Sequence, residues 1–95
     1  MLFIAHCTDK PGHLKVRLDT RQDLLAFLKA KGDALKLAGP TTEADEETPN
    51  GSLLIFEDSD LAAAKAWVAG DPYGTAGLFD SVIVKPWKHA IGDGL

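Results

Sequence analysis

The order of hydrophobic patterns along the chain constrains its fold most. Short apolar runs rich in strand formers are interleaved with stretches whose apolar residues recur at helical spacing, in the order strand, helix, strand, strand, helix, strand. "LFIAHC" predicts a first strand over residues 2–7, closed by the turn residues of "TDKPG". Side chains alternate along a strand, so Leu2, Ile4 and His6 share one face and Phe3, Ala5 and Cys7 the other. "DTRQDLLAFLKAKGD" sets Leu24, Leu25, Phe27 and Leu28 at helical spacing. Thr20, with Asp23 three positions on, predicts the helix start; Lys29 and Lys31 suit its negative end, and Gly32 stops it.

The second half obeys the same logic. "ALKLAGP", running up to a Gly39–Pro40 turn, and "GSLLIFED", coming after Asn50–Gly51, predict strands two and three. The acidic "TTEADEETPN" between them predicts a solvated loop. A second helix, starting at Asp58 or Ser59, presents Leu61, Ala64, Trp67 and Val68 as a stripe and ends at Gly70. "FDSVIVKPW" predicts the last strand, with Val82 and Val84 on one face.

This order is the split βαβ pattern of a ferredoxin-like α+β fold, βαββαβ, in which two helices cover one face of a four-stranded antiparallel sheet. A chain of 95 residues holds one such domain, spanning 1–95. Leu53, Leu54, Ile55 and Phe56 place apolar residues on both strand faces, so the uncovered face is expected to be buried as well. A second copy of the chain is the simplest cover, and two sheets packed through their open faces make a homodimeric α+β barrel.

Composition narrows the function. Ten Lys plus Arg against fourteen Asp plus Glu give a net charge of −4, which supplies no basic face for nucleic acid. No run approaches the roughly 18 apolar residues of a membrane span. The N-terminus has no signal-peptide pattern, and the single Cys7 forms no internal disulfide, so a cytoplasmic protein is expected. No histidine pair has metal-ligand spacing, and there is no Gly-rich phosphate loop or nucleophile elbow, so neither metal nor cofactor is expected.

The stretch "GDPYG" carries the most chemistry. Asp71 stands between a helix stop at Gly70 and the rigid Pro72. It reads either as the cap of a short helix, with proline at the first helical position, or as a proton acceptor in a cleft. Tyr73 is an aromatic core residue by default, with a hydroxyl that can face the same cleft. Arg17 and Arg21 are four apart, and Arg21, three before Leu24, shares a helix face with it; both arginines read as anchors for an anionic ligand or as ion-pair partners of acids such as Asp19 or Asp23. Ser52, after Gly51, reads either as a hydroxyl for a ligand or as a plain strand-edge serine. Of the histidines, His6 is the candidate cleft residue, whereas His13 comes after a surface turn and His89 lies beyond the last strand.

The segments "KVRLDTR" (15–21), "AGP" (38–40), "GS" (51–52), "DPY" (71–73) and "VKPW" (84–87), in this order over nearly the whole chain, resemble the YciI-like (YCII-related) proteins of bacteria. The resemblance implies a dimeric α+β barrel, with relatives among muconolactone isomerase-like and dechlorinating enzymes. It also implies a small-molecule cleft bounded by the first helix, Gly39–Pro40 and Asp71. Members of the family pair a histidine on that helix with the aspartate of "DPY" as an acid/base dyad. Asp71 matches; at the histidine's position stands Leu24. An imidazole with a pKa near 6.5 exchanges protons at working pH, and leucine does not. The resemblance and this departure imply one of two functions: an isomerase, lyase or hydrolytic dehalogenase acting through Asp71 with His6 as substitute imidazole, or a non-catalytic ligand-binding or accessory dimer on the same scaffold.

Overall fold

The computed structural model describes residues 1–95. Its elements are β1 (Leu2–Asp9), α1 (Leu14–Lys31), a 3-10 turn (Gly32–Ala34), β2 (Leu35–Thr42), β3 (Pro49–Glu57), α2 (Leu61–Ala69), the one-turn α3 (Pro72–Thr75) and β4 (Phe79–Trp87). The strands form one sheet in the order β2-β3-β1-β4, and every neighbouring pair is antiparallel. This is the ferredoxin-like α+β topology, with the first and third strands central.

The pleat divides the sheet into two faces. Phe3, Ala5 and Cys7 lie in register with Phe56, Leu54 and Ser52, and all six are buried beneath the helices. Phe3, Ala5, Leu54 and Phe56 meet Ala64 and Val68 of α2 in the core, with Leu28 of α1 and Trp67 packed against them. Trp67 joins the layers, its ring 5.0 Å from Phe27 of α1 and 4.5 Å from Phe56. Lys31, at the end of α1, sits 4.7 Å over the Trp67 ring and pairs with Asp58 at 2.9 Å, which pins the C-terminal half of α1.

The N-terminal half of α1 is held differently. Its only buried residue is Arg17. The guanidinium donates from Nε to Asp9 Oδ2 at 2.7 Å and from Nη2 to Asp9 Oδ1 at 2.8 Å, a bidentate pair. It also donates from Nη2 to Ser52 Oγ at 2.9 Å, and its Cζ lies 4.6 Å over the Tyr73 ring. Burial works against the guanidinium charge, and the Asp9 carboxylate more than offsets it, so the arginine is held above its ordinary range. Asp19, expected as a partner of Arg17, instead pairs with Lys15 at 2.8 Å, and Asp23 forms no ion pair.

Four local expectations are corrected. α1 begins at Leu14, six residues before Thr20, because a buried charge anchors its first turns and apolar periodicity does not register a charge. Gly39 and Pro40 are no turn but lie within β2, an edge strand where proline's missing N–H can face solvent. Asn50 and Gly51 belong to β3, so the loop shrinks to residues 43–48, tightened by Asp45 accepting from the Glu47 and Thr48 N–H groups. The cap of α2 is Asp60, whose side chain accepts from Ala63 N at 2.8 Å. β4 coincides with the stretch "FDSVIVKPW".

Two substitutions test this framework. Arg17→Met leaves the Asp9 carboxylate buried without a partner and is expected to lower unfolding free energy by about 3–5 kcal/mol. Adding Asp9→Asn should restore a large part of that loss in urea denaturation, whereas additive losses would show that the two side chains do not act as a pair. Gly51→Ala would drive a Cβ into the Cys7 carbonyl oxygen and Thr41 Oγ1. It is expected to lose about 1–3 kcal/mol by the same measurement, and a wild-type midpoint would contradict that close approach.

Candidate functional site

A cleft of about 230 Å³ opens between α1 and the β2–β3 edge of the sheet, on the face that carries the helices. α1 contributes Arg17, Arg21 and Leu24, β2 contributes Gly39 and Pro40, β3 contributes Ser52, and α3 contributes Tyr73. All seven residues named as ligand contacts from the sequence thus reach one hollow. The gap has a steric origin. Phe27 and Leu28 draw the far half of α1 onto the core, the long Arg17 side chain spaces the near half from the sheet, and the small Ala38, opposite Leu54, fills little of the space between.

The cleft is polar at one end and apolar along its walls. Leu24, Leu28 and Leu54 form apolar wall, and the exposed Leu18 and Leu25 extend it toward the mouth. Ser52 and Tyr73, both buried, stand with Arg17 at the polar end. Burial pushes the Tyr73 phenol above its ordinary range against the opposing pull of the Arg17 and Arg21 charges. Arg21 is exposed, and no carboxylate of the chain pairs with it.

Asp71 lies behind this end rather than on the cleft wall. It is 1% exposed, and its Oδ1 accepts from Tyr73 N at 2.8 Å, capping α3 with Pro72 in the first turn. Burial raises its pKa above the ordinary carboxylate value, opposed by the Tyr73 N–H and by the Arg17 charge. Cys7 shares this interior: burial first, then the Asp71 charge, push its thiol up to about 12, so it stays protonated and unreactive.

The structure does not bring His6 to Asp71. His6 directly precedes the buried Cys7, so the pleat sends it to the opposite face, exposed between Leu53 and Ile83 of the flanking strands. There it lines a separate, largely polar hollow of about 620 Å³ together with Asp9, His13 and Thr41. His13 is held through Nδ1 by the Pro11 carbonyl at 2.9 Å, and His89 stacks on Trp87 with ring centroids 5.8 Å apart. The cleft therefore contains no imidazole. No three His, Cys, Asp or Glu side chains converge in a way that could hold a metal ion.

Sequence reasoning missed Asp9 and the leucines of the mouth. Asp9 reaches Arg17 across the β1–α1 turn, a meeting that spacing alone does not announce. Leu18, Arg21, Leu25 and Leu28 do carry a signal: they recur three or four residues apart and so share one helix face. With the helix begun at Leu14, that stripe marks the cleft.

The comparisons with known proteins agree with this architecture. An uncharacterized protein from Haemophilus influenzae is 40% identical over 95 residues, covering 93% of this chain and 97% of that protein. Protein YciI from Escherichia coli is 39% identical with the same coverage. Among solved structures, 5-chloro-2-hydroxyhydroquinone dehydrochlorinase from Burkholderia phenoliruptrix, in complex with 2,5-dihydroxybenzoquinone, superposes with a TM-score of 0.88. It is 37% identical, over 95% of this chain and 96% of that one. A cofactor-independent oxygenase from Streptomyces nogalater shares the fold at 15% identity and a TM-score of 0.56, covering 97% of this chain and 96% of that one. No helix is long and apolar enough to cross a membrane. With residues 1–88 matching the YCII-related domain, the chain belongs to the YCII-related family.

Proposed function

We propose that the protein binds a small ring compound bearing an acidic oxygen in the cleft beneath α1, as a homodimer and without His–Asp proton transfer. One observation carries this reading: the cleft combines apolar walls with a cationic mouth and holds no imidazole. Leu24, Leu28 and Leu54 suit the faces of a ring, and the unpaired Arg21 supplies a charge-assisted contact for an anion. A hollow of about 230 Å³ lies below the roughly 300–1,000 Å³ of drug-sized pockets, which favours a single ring. The dehydrochlorinase solved with 2,5-dihydroxybenzoquinone supports the same ligand class.

A second reading, as an isomerase, lyase or hydrolytic dehalogenase, is favoured by Asp71. Burial raises its carboxyl pKa, which makes it a better proton acceptor than an exposed aspartate. It is nonetheless enclosed, with one oxygen committed to the α3 cap, and Leu24 offers nothing to relay a proton. That pairing of residues favours binding over catalysis.

The dimer rests on the sheet's open face. Leu37 is 50% exposed, Ile83 48% and Leu53 38%, and Ile4 and Ile55 lie between them on the same face. A contiguous apolar surface of this kind on a small domain calls for a partner. A second copy satisfies it through a two-fold contact.

Chloride release from 5-chloro-2-hydroxyhydroquinone separates the two functional readings. Wild type is expected to release none, Leu24→His to gain activity, and Leu24→His with Asp71→Asn to lose it again. Wild-type turnover abolished by Asp71→Asn would instead establish the catalytic reading. A folded Leu24→His that stays silent would remove the cleft as a dyad site. For the dimer, sedimentation equilibrium should give twice the mass of one chain, and Ile83→Lys should give a monomer. A wild-type monomer at all concentrations would rule out the barrel.

A further inference from the structure

The register of the sheet sets His6 in the middle of its open face. On β1 it lies opposite Leu53 of β3 and Ile83 of β4, in a row that Gly39 of β2 completes. The neighbouring row is Leu37, Ile55, Ile4 and Lys85. Leu53 and Ile83 are exposed apolar side chains on opposite sides of the imidazole. A cover that removes both from water encloses the ring between them. A neutral imidazole is tolerated in such a place, whereas a charged one loses its hydration.

The groups around the ring do nothing to hold a proton on it. No carboxylate pairs with His6. On β4, Lys85 stands diagonal to it, and Asp80 shares the parity of Val82 and Val84, which face the helix side. On β3, Glu57 lies at the far end of the strand and pairs with Lys36 of β2. The polar hollow that His6 also lines holds four more titratable groups. Asp9 is committed to Arg17, Glu43 accepts from Asn50 Nδ2 at 2.9 Å, Lys10 is a cation and His13 is a second imidazole.

We propose that His6 makes the homodimer sensitive to pH: the sheet-to-sheet contact forms with both imidazoles neutral and comes apart as they take up protons. This rests on the homodimer proposed above and adds a control to its interface. An exposed imidazole accepts its proton near pH 6.5 and an enclosed one resists it, so dissociation takes up a proton on each chain. The contact is therefore fully present above that pH and lost below it. Net charge works the other way. Acidification brings the chain's −4 toward zero, which relieves repulsion between copies and favours the pair. A dimer that loosens on acidification thus points to a group inside the contact.

The test is sedimentation of the full chain at fixed ionic strength, at about pH 7.5 and about pH 6. Across that interval two ordinary imidazoles, one on each chain, give roughly a tenfold rise in the dimer dissociation constant. Wild type is expected to show this rise while its circular dichroism stays that of the folded chain. His6→Gln and His6→Leu, both neutral throughout, are each expected to remain dimeric with one constant at both pH values. A wild-type constant that does not change, or a rise that persists in the two variants, would overturn the switch and leave the homodimer standing. A wild-type monomer at both pH values and all concentrations would overturn both.

Discussion

The cleft depends on two buried charges, Arg17 and Asp9, with side chains 6% and 8% exposed. Removing them from water costs several kcal/mol each, and a bidentate geometry is what makes the arrangement sustainable. The pair ties the first turns of α1 to the end of β1, and the same guanidinium reaches Ser52 on β3 and lies over Tyr73 on α3. Four elements therefore meet at one side chain. An apolar residue here would draw α1 down onto the sheet, whereas the arginine keeps it at arm's length and leaves the hollow.

The sheet separates its two tasks by parity. Odd-numbered positions of β1 and even-numbered positions of β3 build the core and the cleft beneath the helices; their neighbours build the outer face, where Ile4, Leu53 and Ile55 stand beside His6. His6 illustrates how sharp that division is, since a slip of one residue along β1 would turn it to the interior and Cys7 to the outer face. In the ferredoxin-like arrangement no turn of a side chain can bring it through the sheet to Asp71.

Asp71 is a buried carboxylate held by a structural role. Capping α3 explains its place between Gly70 and Pro72, and burial explains its raised pKa. Leu24, on the wall of the neighbouring cleft, is apolar and carries no titratable group.

Much of this was legible in the chain. Periods of two and of three to four residues determined the strands and helices, their order determined the ferredoxin-like class, and the family resemblance carried by the segments around Arg17, Gly39, Ser52 and Tyr73 marked residues that line one cleft. The periods are local: each depends on side chains within a turn or two of one another. Tertiary structure alone decided the partner of Arg17, the true start of α1, the absorption of Gly39–Pro40 and Asn50–Gly51 into strands, and the separation of His6 from Asp71. Those outcomes arise from pairing between residues distant in sequence, where burial of a charge or the register of a ladder overrides the preference that a segment shows by itself.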